Sequence, residues 1–327
     1  MLDPAETTKP VHQDEPISPA NPAYRSAPQF LLPSWDRGTV IADPPGDGPG
    51  YWAGAPSALM AGGVTYLAYR LRRPIRHGRG YAVVVARAED GERFETVALL
   101  GSAEFGAESL ERPALALTPD GSWRLYVSCA TPGTKHWRVD LIEAADPSGF
   151  EARNARTVLP GSPRTGVKDP VVTIRDGRWQ LWASCHPLEL EDATDRMVTR
   201  YATSDDGVDW VWHGTALAGR PGGWDARGVR VTSVIRSNGQ VIAYYDGRAS
   251  AAENCEERTG LASGTHAGSF RPLAAQPAAA SPYGTGALRY LTVVRLPDGG
   301  HRLYYEACRD DGAHELRTEL IPAPAGN

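Results

Sequence analysis

The residues best placed to do chemistry are charged groups that stand where apolar strands begin. In TGVKDPVVTIRDGRWQLWASC (165–185), Lys168 and Asp169 precede Pro170 and two apolar runs joined by an Asp-Gly turn. A carboxylate at a strand end opens onto solvent or a cavity, where it can act as base or acid or orient a neighbour. Glu111 and Arg112 (ERP), Arg230 (VRV) and Arg289 (LRY) repeat the pattern of charge at a strand start, and YDGRASAAENCEE (245–257) adds Asp246, Arg248, Glu253, Glu256 and Glu257. Glu256 and Asp246 are favoured as catalytic partners of Asp169, because the loop carrying them is expected to overhang the others. Each loop carboxylate can equally be a solvated surface charge. Arg112, Arg230, Arg289 and Lys168 facing one pocket would suit an anionic ligand, since guanidinium grips carboxylate or phosphate through paired N–H bonds. Alternatively they neutralise Asp169, Glu111 and the acidic loop as a structural ion network. His186 (SCHPL) is either a proton exchanger near neutral pH or a solvent-facing loop residue. Trp52, Trp137 and Trp224 offer faces for stacking on a flat ligand, or pack between strands. Cys129 and Cys185 hold equivalent strand-end positions, which repetition explains better than a nucleophilic role.

The elements that must position these groups recur. Apolar–turn–apolar hairpins occupy 57–70, 114–129, 171–185, 232–247 and 291–308, and Leu67, Leu125, Leu181, Ile242 and Leu303 take one equivalent position in them. Their spacing, about 60 residues, is of the order that marks a propeller or solenoid. A weaker strand pair follows each of the first four hairpins, as at 81–100, 139–159 and 197–214, so a unit has four strands. No stretch sustains apolar residues at helical spacing. The pattern predicts an all-β chain: a five-bladed β-propeller of four-stranded antiparallel blades over residues 31–327. The last unit stops after three strands, at HELRTELIP (314–322), while GTVIA (38–42) precedes the first. That N-terminal strand is expected to complete blade five and close the ring, leaving no exposed edge. Two stacked β domains are the alternative. Residues 1–30, Pro-rich and aperiodic, read as a flexible arm. Inner strands of a propeller start at the channel mouth, where the count places Ala55, Arg112, Asp169, Arg230 and either Arg289 or Tyr290. Pro170 favours an extended backbone at Asp169.

The bulk properties narrow the partners. The 327 residues carry a net charge of −5 with a pI near 5.9, which argues against nucleic acid or an anionic membrane. No apolar run approaches the roughly 20 residues of a membrane span. The first residues lack a basic segment followed by an apolar one, so no secretory signal is read. Four cysteines without C-x-x-C spacing suit reduced thiols in a cytoplasmic protein. Abundant Ala, Arg, Gly and Pro match high-GC bacterial composition. Nucleotide, zinc and Gly-x-Ser-x-Gly patterns are lacking, so no cofactor is expected.

With five repeats, an Asp-Pro opening an inner strand and ATSDDGVDW (202–210) closing a unit, the sequence resembles the five-bladed propeller glycosidases. That superfamily includes arabinanases, β-xylosidases, invertases, levansucrases and mannoside phosphorylases. YYDGRASAAENCEERTGLA (244–262) is also similar to segments of bacterial proteins loosely grouped with glycosidases. Members similar to arabinanases use a general-base Asp opening blade one, a pKa-tuning Asp opening blade three and a general-acid Glu opening blade four. Only Asp169 matches; Ala55 and Arg230 stand at the other two places. The resemblance therefore implies a glycoside hydrolase-like enzyme with a degenerate triad, acting on a small glycoside or sugar-derived substrate, neutral or anionic. Asp43, Asp47, Glu306 and the 245–257 loop could supply replacement carboxylates. The histidine that opens blade five near a metal in some relatives has no match in GTGALRYL (284–291), so no metal is expected. Competing readings are a non-hydrolytic enzyme (rearrangement, elimination or cyclisation of an anionic small molecule) and a non-catalytic ligand-binding propeller. Hydrolysis calls for two carboxyl groups, about 5–5.5 Å apart for retention or about 6.5–9.5 Å for inversion. Two carboxylates across a cleft would favour the first reading, and one carboxylate among arginines the second.

Overall fold

The computed structural model describes residues 30–189, 191–237 and 239–323. The expected N-terminal arm lies outside them apart from Phe30. Among the described residues there are twenty β-strands, a few 3₁₀ turns and no α-helix. After β1 (Thr39–Ala42), the strands fall into consecutive units. Unit one is β2 (Trp52–Ala61), β3 (Val64–Arg72), β4 (Gly80–Ala88) and β5 (Glu95–Gly101). Unit two is β6 (Leu110–Leu117), β7 (Trp123–Ala130), β8 (Trp137–Ala144) and β9 (Arg156–Leu159). Unit three is β10 (Thr165–Arg175), β11 (Arg178–Pro187), β12 (Val198–Ser204) and β13 (Val211–Leu217). Unit four is β14 (Gly228–Ser237), β15 (Gln240–Arg248), β16 (Arg258–His266) and β17 (Ser269–Pro272). Unit five is β18 (Leu288–Arg295), β19 (His301–Cys308) and β20 (His314–Ile321), and β1 pairs antiparallel with β20 as its fourth strand. Within each unit, sequence neighbours pair antiparallel.

Local chemistry explains the hairpins. Asp176 and Gly177 both have positive φ (49° and 74°) between the paired Arg175 and Arg178. That is the mirror-image two-residue turn whose twist suits flanking strands, and Asp-Gly is among its preferred sequences. The five repeated aliphatics, Leu67, Leu125, Leu181, Ile242 and Leu303, are all buried opposite Ala58, Leu115, Val172, Ile235 and Val293. Apolar layers lie between consecutive units, and a further layer joins unit five to unit one through Val294, Tyr304 and Leu316 against Ala53 and Leu67.

One irregularity positions the site. The first strand of every unit slips against the second: between Gly54 and Ser57, Glu111 and Pro113, Lys168 and Val171, Val231 and Ser233, and Arg289 and Thr292. Such bulges turn a strand and re-aim its side chains. Ala55, Asp169 and Tyr290 within them have φ of 55°, 55° and 56°. Asp169 is thus left-handed rather than extended: the demand of the bulge overrides the preference set by Pro170.

Candidate active site

The bulges and the loops near them frame a cavity of about 970 Å³. Trp52, Glu111, Lys168, Arg230, Arg289 and Tyr290 reach it from first strands, Arg72, His186 and Arg248 from second strands, and Glu256 and Glu257 from the β15–β16 loop. Most of the favoured catalytic and binding candidates therefore converge, while Asp43, Asp47, Trp224, Glu253 and Glu306 stand outside the lining, as do three of the favoured residues. Arg112, Asp169 and Asp246 do not line the cavity; they lie buried outside it.

Arg112 was expected at the mouth. Instead its Nη2 donates to the Thr232 carbonyl (2.6 Å) and to Thr292 Oγ1 (3.2 Å), and Thr292 donates to the Pro56 carbonyl (2.9 Å). The Asp169 amide donates to Ser128 Oγ (2.8 Å), which donates to the Arg112 carbonyl (2.9 Å). This chain of bonds ties all five units together. Asp169 is fully buried, against the expectation of a carboxylate open to solvent. Arg230 Nη1 donates to its Oδ2 at 3.1 Å and Lys168 Nζ lies 3.5 Å away, while Oδ1 has no hydrogen-bond partner. Removing its charge would unbalance a buried ion network, so Asp169 bears on stability, and an Asp169→Asn change is not the stability-neutral probe its sequence position suggests.

The ion network is dense. Asp246 accepts from Arg230 Nη2 (2.7 Å), Arg230 Nε (3.0 Å) and the Tyr290 amide (3.1 Å). Glu257 accepts from Arg289 (2.7 Å) and Arg248, and Glu306 from Arg289 (2.7 Å) and Arg70 (3.1 Å). Glu111 takes Arg70 on one oxygen and Arg72 on the other, both at 2.9 Å. A side chain on Gly54 would collide with the Glu306 carboxylate, so only glycine leaves room there. Burial pushes Asp246 up to about 6 against the pull of Arg230, with the Glu257 carboxylate adding to the rise. Burial acts the same way on Glu257, but Arg230, Arg289 and Arg248 outweigh it and hold that group well below the usual range.

Glu111 offers a pH test. Burial raises its pKa, yet Arg70, Lys168, Arg72 and Arg289 bring it from 4.5 down to about 2. A depressed carboxylate contributes stability above its unfolded pKa and loses it as pH falls through the folded one; here that contribution is about 3 kcal/mol. Glu111→Gln is therefore expected to lower the thermal midpoint at neutral pH, with the gap to wild type closing as pH falls from 4.5 towards 2. A gap constant over that range would contradict the assignment.

Several single-residue readings change. Trp52 has no open face for stacking: His314 stacks on it (4.9 Å between centroids), and the Arg72 and Arg289 guanidinium groups lie 4.2 and 4.7 Å from its ring centre. Lys168 sits 4.7 Å over Trp137, and Trp224 stacks on Tyr245 outside the cavity lining. His186 is no acid near neutral pH, because burial and then Lys168 push it down to about 3. Its Nδ1 faces the Thr194 carbonyl (3.0 Å), so Nδ1 carries the proton and Nε2 is free to accept from a ligand. The four cysteines form no disulfide; burial raises the Cys129 and Cys185 thiols, the latter to about 12, too high for a ready nucleophile. Asp47 pairs with Arg309, and Glu253 with Arg258, rather than with a ligand site. Glu256 is the cavity carboxylate without a guanidinium partner: Thr285 donates to its Oε2 (2.6 Å), and His314 Nε2 lies 3.7 Å from its Oε1. Burial would raise Glu256, but those two contacts lower it. His314 also places Nδ1 2.7 Å from Glu306. Burial lowers His314, yet Cys308, Glu256 and Glu306 outweigh it and push it up to about 10. Sequence reading missed Arg70, Arg72 and His314. The two arginines had a signal, since Arg70 ends its hairpin where Glu306 ends another; His314 lies in an ordinary strand pattern and had none.

No family model matches the chain, and no curated protein matches it. Solved structures do. A thermostable family-43 glycoside hydrolase superposes with a TM-score of 0.64 at 13% identity, over 84% of this chain and 95% of that one. A family-43 enzyme from Xanthomonas citri complexed with xylotriose gives 0.62 at 17% identity, over 88% and 92%. A structure from the family-130 mannoside phosphorylases, a family containing hydrolases that target β-1,2 mannosidic linkages in Candida mannan, gives 0.59 at 14%, over 91% and 98%. The chain has the fold of the propeller glycosidases. Against that fold, the bulges align Ala55, Asp169 and Thr232 at the starts of units one, three and four. Thr232, not Arg230, is thus the equivalent of Asp169 in unit four; Arg230 lies earlier on the strand, paired with Asp246. Two carboxylates of the triad implied by the resemblance are replaced by Ala and Thr. In unit five the equivalent of Asp169 is Tyr290, preceded by Arg289, which pairs with Glu306, so the histidine implied by the resemblance has no match there.

Proposed function

We propose that the five units form a closed five-bladed propeller, with β1 completing the last blade, and that its central cavity cleaves the glycosidic bond of a small anionic glycoside. The β1–β20 pairing and the apolar layer between units five and one support the closure. The charge of the cavity carries the functional reading. Eight lysines and arginines line it against four carboxylates, and Glu111, Glu257 and Asp195 among those four already face arginines. Behind the wall Asp169, Asp246 and Glu306 pair with Arg230 and Arg289, and Glu108 faces Arg79. The surplus therefore rests on Arg76 and Lys135, which have no carboxylate partner among the described residues, and on Lys168, 3.5 Å from the Asp169 that Arg230 shares. A carboxylate or phosphate on the ligand offsets that surplus, and a neutral sugar does not. Structures of the Xanthomonas citri enzyme with xylotriose and with xylose support a carbohydrate ligand. Lys168 anchors the anionic group, Tyr290 and His186 Nε2 meet hydroxyls, and Glu256, ionised and free of guanidinium, activates the attacking water. Asp169 and Asp246 hold Arg230 and the Tyr290 backbone in place and act as positioning residues.

Lys168→Met tests the anchor. Loss of a charge-assisted contact is expected to raise KM for a glucuronide about 10- to 100-fold with kcat nearly unchanged. An unaltered KM would contradict the role.

The single carboxylate without a guanidinium partner favours a second outcome at the same site, β-elimination. Glu256 would take the proton from the carbon bearing the carboxylate; the bond from the neighbouring carbon to the leaving sugar oxygen breaks, a carbon–carbon double bond forms between the two carbons, the departing oxygen leaves as a hydroxyl with that proton, and no water is consumed. An unsaturated, ultraviolet-absorbing product marks elimination; a saturated reducing sugar marks hydrolysis.

A further inference from the structure

Behind Glu256 lies a group of side chains that neither bond cleavage nor the ion network uses fully. Glu256, Cys308 and His314 come from the β15–β16 loop, the end of β19 and the start of β20, and one ligand atom from each lies within 4.8 Å of the others. His314 is fully buried, and its Nε2 has no hydrogen-bond partner. The other ring nitrogen faces Glu306 at 2.7 Å. A carboxylate on Nδ1 fixes the ring and aims Nε2, whose proton a cation can displace, towards Glu256, the arrangement that orients histidine ligands in metal sites. Trp52 stacks on the ring and fixes its plane. Thr285 holds Glu256 Oε2, leaving Oε1 directed at His314. Space is left beside the group as well: Gly284 (φ 57°) has no side chain, and a methyl there would sit 3.1 Å from Cys308 Sγ and 4.0 Å from Glu256 Oε2.

We propose that Glu256 Oε1, Cys308 Sγ and His314 Nε2 bind a divalent zinc-type cation at the wall of the cavity. One oxygen, one sulfur and one nitrogen form a borderline-soft donor set suited to zinc, whose tetrahedral bonds of about 2.0–2.3 Å separate ligand atoms by about 3.3–3.6 Å. The observed His314–Glu256 distance, 3.7 Å, needs only a small contraction. The ion takes the place of the Nε2 proton. Three protein ligands leave a fourth position for a water or a ligand oxygen, and Glu256 connects the group to the cavity that it lines. A water or a ligand oxygen held there would be polarised beside the glycosidic bond. The inference rests on the same cavity reading but changes the role of Glu256: with Oε1 on the ion and Oε2 held by Thr285, the carboxylate would position the ion instead of acting as the base. Its readout is metal, not turnover, so either reading can fail without the other.

The full-length protein, stripped of metal by chelator and titrated with Co²⁺, is expected to bind one equivalent. It should then show a thiolate-to-cobalt charge-transfer band in the near ultraviolet, and Zn²⁺ should displace the Co²⁺. Cys308→Ser, nearly isosteric at a buried position, should fold and lose the band. Glu256→Gln should keep the band and weaken the affinity at least about tenfold. No stoichiometric binding of either ion, or a band that survives Cys308→Ser, would overturn the site.

Discussion

Replacing Arg230 with methionine is expected to lower the thermal midpoint by about 6–10 °C, from a loss of about 3–5 kcal/mol. Arg230 contacts Asp169, Asp246 and Glu257 at 3.1, 2.7 and 3.6 Å, and its guanidinium carbon lies 3.7 Å from the Tyr290 ring centre. Methionine matches much of the volume and leaves those carboxylates without their shared cation in a site closed to water. The cost arises from uncompensated buried charge, so it depends on pH. Burial already raises Asp246 against the pull of Arg230, and without Arg230 it would rise further. A raised carboxylate favours the protonated folded state, so its penalty grows as pH rises through the window between the unfolded and folded pKa values. The gap between wild type and variant should therefore narrow between about pH 8 and about pH 5. Differential scanning calorimetry at the two pH values measures it, and an unchanged midpoint at both would show that Arg230 does not hold the network together.

Glu256→Gln is expected to reduce turnover of an anionic glycoside by at least about 100-fold, the usual contribution of a positioned acid–base group. Its midpoint should shift little, because Glu256 is half-exposed and has no guanidinium partner. The change removes a carboxylate oxygen that can take a proton, or hold the proposed metal, while keeping the acceptor for Thr285. The companion change at Asp246 should behave in the opposite way, costing stability as well as turnover, since that residue is buried against Arg230 and the Tyr290 amide. A Glu256→Gln protein with full turnover would remove Glu256 from the chemistry.

The architecture was legible because repetition is a long-range signal. Leu67, Leu125, Leu181, Ile242 and Leu303 recur at near-constant spacing, and each is buried opposite an aliphatic partner. The convergence of Lys168, Arg230 and Arg289 on one cavity followed from strand starts sharing one end of the units, and that of Glu256 from the β15–β16 loop at the same end. Depth was not legible. Arg112 and Asp169 stand at strand starts as expected, but the bulges turn them into the protein, where the Thr232 carbonyl, Thr292 and Arg230 meet only part of their hydrogen-bonding capacity. Unit four was misaligned, because pairing register is not written in composition and a small slip re-aims every side chain on a strand. That put Arg230 where Thr232 belongs. Trp52 illustrates a third gap: its sequence position is right for a ligand platform, yet His314 and two arginines, distant in sequence, cover its faces.

The claim on which the rest depends is that the cavity selects for negative charge. Initial rates on a matched pair, p-nitrophenyl glucuronide and p-nitrophenyl glucoside, report that charge, since the two differ only at carbon 6, a carboxylate in one and a hydroxymethyl group in the other. The structure predicts kcat/KM at least about 100-fold higher for the glucuronide, with the advantage shrinking as salt is raised. Equal rates for the pair, or a preference for the glucoside that salt leaves untouched, would contradict it.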